Sequence, residues 1–230
     1  MTLTLTFRDT ATSDDLRVYL ERLQRFGEPE VRLVSHGSAL AVFGCTQTPS
    51  GLLDTVPVVL AVRGFELDPE ASRESIDVTV GVRSLLDRLA RADAQRGSSG
   101  SGDDTTRAHR PTLPLPPETG AGAWAGVLPP RRGWSAAGVV DGASLARVAE
   151  DGMARIAEAA PRQAGDAAVR LLRREVWGAI IAPGIPAAAA FALETMGFLR
   201  GEQHVRVARS QTWTRLDTSR GQILVRSVLS

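Results

Sequence analysis

The chain of 230 residues has no lysine, one cysteine, one tyrosine and three histidines, and only 5% of it is aromatic. With Cys45 alone, no disulfide can form within the chain, which fits a reducing compartment. No CxxC or HExxH pattern is present, and His36, His109 and His204 stand apart, so no metal is expected. Neither the dinucleotide fingerprint nor the P-loop pattern occurs; Gly51 and Gly64 lie in no phosphate-cradling run, and no cofactor is expected. Cys45 has no histidine near it in sequence and reads as a buried, inert thiol. The carboxylate pairs Asp14/Asp15, Asp103/Asp104 and Glu150/Asp151 fall on a helix cap, a linker and one helix turn, so none reads as an acid–base pair and no catalytic residue is named. Long apolar runs are also missing. The stretch 176–193 approaches membrane-spanning length, but Pro183, Gly184 and Pro186 interrupt it and alanine fills much of it, so a buried turn between helices is expected and no membrane partner. The start, MTLTLTF, alternates like a strand and lacks the basic and apolar regions of a signal peptide, which points to the cytoplasm.

What is present is arginine. All 27 basic residues are arginine, set against 26 acidic ones. Residues 1–130 hold 13 arginines and 17 acids, a balance of −4, and residues 131–230 hold 14 arginines and 9 acids, a balance of +5. The C-terminal part is therefore the better match for an acidic protein or nucleic acid. A hydrophobic fraction of 43% is that of an ordinary globular protein, long enough for one large domain or two small ones.

Leu3, Leu5 and Phe7 alternate with threonines, predicting a half-buried strand. Thr12, Ser13, Asp14 and Asp15 supply N-cap oxygens and first-turn charge to a helix carrying Leu16, Tyr19, Leu20, Leu23 and Phe26, which Gly27 stops. Strands are predicted over 30–34 and 39–45, joined by a hairpin turn, and over 56–63 and 75–80. A second helix then places Val82, Leu85, Leu86 and Leu89 on one face. Residues 1–92 thus read as a β-α-β-β-β-β-α sheet domain. That order, and the passage IDVTVGVRSLLDRLARA in which a valine-rich strand runs into a leucine-rich helix, resembles a single repeat of the processivity-clamp fold. The resemblance implies a fold and not a ring around DNA.

Residues 93–120 are rich in Gly, Ser, Asp and Pro and read as a flexible linker, extended over 111–117. Trp124 and Trp134, flanking GVLPPRRG, are predicted to anchor it onto a second domain, 121–230. Helices are predicted there over 142–160, 163–177 and 186–196, with Pro161 breaking the chain, Pro186 opening the third helix and Gly197 stopping it. Strands over 204–209, 212–217 and 222–228 follow as an antiparallel meander. The fold class is α+β, with a winged-helix-like C-terminal domain. Its third helix, PAAAAFALETM, carries no side chain suited to a base edge and reads as buried, which disfavours sequence-specific recognition.

A two-residue turn at Ser210-Gln211 and a four-residue turn over 218–221 set the meander's register. Val205 and Ile223 then face Leu216, while Val207 and Val225 face Thr214, giving one apolar face. On the other face Arg206 meets Arg215, Trp213 meets Arg226 and His204 meets Asp217. Like charges across a strand pair are unfavourable unless something neutralises them. Arg206, Trp213, Arg215 and Arg226, with Arg200 and Arg220 nearby, therefore form a candidate anion or nucleic-acid surface, contacting phosphates chiefly. The plainer alternative has Glu202 and Asp217 neutralising the patch while Trp213 covers a helix.

The segments WAGVLPPRRGW, at 124–134, and WTRLDTSRGQILVR, at 213–226, resemble an uncharacterised family of actinobacterial proteins. The use of arginine alone, with abundant Ala, Gly and Pro, fits a high-GC bacterial genome. The family implies a bacterial cytoplasmic protein and supplies no catalytic or binding residues. The first functional reading is a non-enzymatic intracellular binding or adaptor protein. The second is a nucleic-acid-binding protein using the C-terminal arginines, and the third an enzyme whose site assembles from distant residues.

Overall fold

The computed structural model describes residues 3–27, 29–49, 51, 54, 56–71, 75–98, 110–120, 122, 124–159 and 166–227. Of the expected linker 93–120, residues 93–98 instead continue the helix that opens at Val82, while 99–109, with Asp103, Asp104 and His109, and the break at Pro161 lie outside the described residues. The fold is α+β, and the chain divides into two units, Met1–Gly44 with Arg63–Gly126 and Cys45–Val62 with Val127–Ser230. Residues 45–62, placed by the sequence reading in the first domain, are part of the second unit. Trp124, placed there in the second domain, lies in the first unit and is buried.

In the first unit the alternating start forms β1 (Thr4–Thr6), which pairs with β6 (Thr112–Pro114) so that buried Leu5 lies opposite buried Leu113. The expected extended segment is thus drawn into a strand pair. Helix α1 (Thr10–Leu23) is capped by Asp9, whose carboxylate accepts the Thr12 N–H at 2.8 Å, so it starts ahead of the anticipated caps. Leu16, Tyr19, Leu20 and Leu23 form its buried stripe, as their spacing anticipates. Strands β2 (Glu30–His36) and β3 (Ala39–Gln47) form the expected hairpin, turning at Gly37 with φ 57°. β5 (Asp77–Gly81) pairs with β2 and passes straight into α2 (Val82–Ser98). Gly44 marks where α1 comes closest to β3: a Cβ there would stand 2.4 Å from Leu23 Cδ2.

In the second unit the helices are α3 (Gly142–Ala159), α4 (Asp166–Gly178) and α5 (Ala187–Thr195). β8 (Ile180–Ala182) and β9 (Ile185–Pro186) form a small hairpin before α5. Helix α5 is buried, with Ala187 to Ala190, Ala192 and Leu193 all inside, as its lack of polar side chains requires. Gly152 lets α3 approach α4; a Cβ there would stand 2.4 Å from the Trp177 ring. No helix among the described residues is long and apolar enough to cross a membrane.

The meander consists of β10 (His204–Ser210), β11 (Trp213–Asp217) and β12 (Gln222–Arg226). It is not a free wing. β12 also pairs with β4 (Val58–Glu66), and β10 with β7 (Ser135–Asp141), giving the antiparallel order β4-β12-β11-β10-β7. This differs from a winged-helix layout, in which the meander follows its helices as a separate element. β7, reading SAAGVVD, has no alternation to announce it. It is an exposed edge strand held by backbone pairing, with Gly138 at φ 121° beside a register shift.

Candidate nucleic-acid interface

The β11–β12 register is as the sequence implies: Leu216 lies opposite Ile223, Thr214 opposite Val225 and Trp213 opposite Arg226. The β10–β11 register differs by two residues, because the turn falls on Gln211-Thr212, with Gln211 at φ 52°. A shift of two keeps every side chain on its face while changing every partner. Val205, Val207, Leu216, Ile223 and Val225 therefore still bury one apolar face. Arg206, however, now meets Asp217 and Arg215 meets Ala208, so the anticipated arginine–arginine pair does not form. Opposite charges across the strand replace like charges, which is the physical reason this register is the better one.

The two indoles on this face are already engaged. Trp213 is only 4% exposed, and the Arg226 guanidinium lies over its ring, 5.7 Å from the centroid. The Arg215 guanidinium lies 4.6 Å from the centroid of Trp134, whose Nε1 donates to the Pro130 carbonyl at 2.8 Å. Arg215 Nε also donates to the Asp217 carboxylate at 3.0 Å. Trp213 thus offers no open stacking platform, and Arg215 is neutralised where it stands. Trp134, missed as a site residue, was visible in sequence only as a linker anchor.

The remaining arginines gather at the other end of the meander. Glu202 Oε1 accepts the Ser219 N–H at 2.7 Å. Hydrogen bonds from Ser219, and then the charges of Arg220 and Arg206, hold the Glu202 carboxyl below its ordinary value. Arg220 Nε donates to the Arg200 carbonyl at 3.2 Å, which brings Arg200 into the same corner. Arg200, Arg206 and Arg220 are exposed and form no ion pair among the described residues. The Glu202 carboxylate therefore stands near the guanidiniums of Arg206 and Arg220, with the Arg200 backbone beside them.

Other candidates separate. His36 ends β2 and His204 opens β10, both exposed. Burial pushes the Cys45 thiol up to about 12, so at neutral pH it is protonated and a poor nucleophile. Among the described residues, no three His, Cys, Asp or Glu side chains gather closely enough to hold a metal ion.

Comparison with solved structures finds bacterial sliding clamps over the whole chain. The C. crescentus beta sliding clamp with bound PEG aligns at 13% identity and a TM-score of 0.48, covering 100% of this chain and 66% of that one. The DNA polymerase III subunit beta from Pseudomonas aeruginosa aligns at 16% identity and a TM-score of 0.43, covering 100% and 65%. The H. pylori beta clamp in complex with 5-chloroisatin aligns at 10% identity and a TM-score of 0.42, covering 100% and 64%. This chain spans 64–66% of their lengths. The expectation of a non-enzymatic binding or adaptor module is corrected here: the solved structures found are titled as beta sliding clamps and DNA polymerase III beta subunits. No curated protein sequence matches the chain. Residues 1–108 match the family model described as Domain of unknown function (DUF8010), and residues 129–230 the one described as Domain of unknown function (DUF8185).

Proposed function

We propose that the chain binds nucleic acid without reading its sequence, through phosphate contacts from Arg200, Arg206 and Arg220. The observation that carries this reading is the corner around Glu202, where exposed Arg206 and Arg220 act on one carboxylate and exposed Arg200 adjoins through its carbonyl. Guanidiniums left unneutralised at a surface attract phosphate and release its counterions. Arg226 lies on the same face, four residues along the strand from the Asp217 end, a distance of roughly 13 Å at the usual rise. Buried Trp213 and the apolar α5 leave no base-stacking or groove-reading element there, so contacts to phosphate oxygens dominate and sequence selectivity is absent.

Fluorescence anisotropy with labelled DNA duplexes at low salt tests this. Duplexes of unrelated sequence are expected to bind equally well, and the triple variant Arg200→Ala, Arg206→Ala, Arg220→Ala to bind at least about tenfold more weakly. A wild-type chain that fails to bind at low salt, or a triple variant that binds as well as wild type, rules the reading out.

A further inference from the structure

A cleft of about 470 Å³ lies in the second unit against α4, remote in sequence from the meander. Its charged lining is Asp54, Arg170, Arg173 and Arg174, and its apolar lining includes Val56, Leu171 and Trp177. Helical spacing sets Arg170, Arg173, Arg174 and Trp177 on one stripe. Like charges stacked at that spacing weaken a helix unless something offsets them. Asp54 offsets one: its side chain is 4% exposed, pairs with Arg174 at 2.9 Å and accepts the Val56 N–H at 3.1 Å. Arg170 and Arg173 are exposed and make no ion pair among the described residues. Beside them Leu171 is 64% exposed, second only to Ile180 among the large apolar side chains of the described residues. Trp177 stacks on Phe191, with centroids 4.4 Å apart, and is 8% exposed, so little of its ring is open to the cleft.

We infer that this cleft binds a small organic anion with an apolar tail. Arg170 and Arg173 take its carboxylate, sulfonate or phosphate, and the tail lies along Leu171, Val56 and the edge of Trp177. The volume is that of a small-molecule site, and an apolar lining with a few convergent charged groups is the usual character of one. Charge complementarity selects an anion, because one carboxylate faces three guanidiniums.

Anilinonaphthalene sulfonate carries both chemical parts and brightens on entering an apolar site. The full chain is expected to bind one such probe saturably, with displacement by decanoate and not by decanol. The double variant Arg170→Ala, Arg173→Ala is expected to weaken binding by about tenfold or more, the loss of a charge-assisted contact. Leu171→Glu, which adds a carboxylate and removes apolar surface, is expected to do the same, whereas Arg206→Ala with Arg220→Ala leaves probe affinity unchanged. All five substituted positions are exposed, and a circular dichroism melt checks folding; if the double variant unfolds, Leu171→Glu decides alone. Absence of saturable binding, equal displacement by decanol, or affinities within about threefold of wild type in the folded α4 variants overturns the inference.

Discussion

The two units use arginine differently. In the first, Arg32 grips Asp77 through Nε at 2.7 Å and Nη2 at 2.8 Å, Arg17 pairs with Asp93, Arg63 with Asp15 and Arg110 with Asp68. In the second, Arg155, Arg174 and Arg215 have carboxylates, but Arg209 donates to the Pro183 carbonyl at 2.6 Å, Arg220 to a carbonyl and Arg226 lies over an indole. A carbonyl or a ring satisfies a guanidinium without cancelling its charge. The same residue type therefore fastens structure in one unit and leaves positive charge at the surface of the other. The comparison shows that the charge asymmetry in the sequence is not spread evenly over the second unit; it is concentrated where carboxylates are missing.

The largest expected effect comes from cutting a buried carboxylate in the fastened class. Asp68 is 1% exposed, pairs with Arg110 and accepts the Glu70 and Ala71 N–H groups at 2.8 and 3.1 Å. Asp68→Ala should lose about 2–4 kcal/mol in denaturant unfolding. Asp54→Ala, the nearest equivalent in the second unit, should lose about 1–3 kcal/mol; a neutral result would show that even its carboxylate-paired arginines are idle. Next comes Trp134→Ala, which removes the ring under Arg215 and should cost about 1–2 kcal/mol, with Trp134→Phe recovering part of it. A smaller effect should appear in alkali. The Cys45 thiol is raised to about 12 in the folded chain, so the native state keeps a proton that the unfolded chain releases near pH ~8.5. Stability should therefore fall as pH rises from about 9 to 12, and Cys45→Ala should flatten that fall in pH-dependent melts. Glu66→Gln should change nothing measurable, since both members of its pair with Arg8 are 65% exposed.

Most elements were legible because their apolar positions kept a clear period: the stripe of α1 and the strands of the β2–β3 hairpin follow directly from residue spacing, and α5 from an apolar run that ends in Glu194 and Thr195. Beside the short β8 and β9, which fall where a turn was expected, two further strands escaped. β6 ends in Pro114 and follows Pro111 in a linker-like segment, and β7 is a small-residue edge strand whose partners, not its side chains, make it a strand. The candidate site was half legible for a related reason. Face assignment depends on parity, which the alternation of Val205 and Val207 sets, whereas partner assignment depends on where a turn closes, and Gln211 in the left-handed region carries no strong sequence signal. The burial of Trp213 and the stacking of Arg215 on Trp134 are long-range contacts that no local pattern announces.

The most direct measurement is the salt dependence of duplex binding by the wild-type chain and by the Arg200→Ala, Arg206→Ala, Arg220→Ala variant. Three phosphate contacts contribute roughly −2.7 to the slope of log affinity against log salt, at about −0.9 for each. The variant's slope is expected to be shallower by about that amount. Parallel slopes for the two chains would contradict the assignment of phosphate binding to the corner around Glu202.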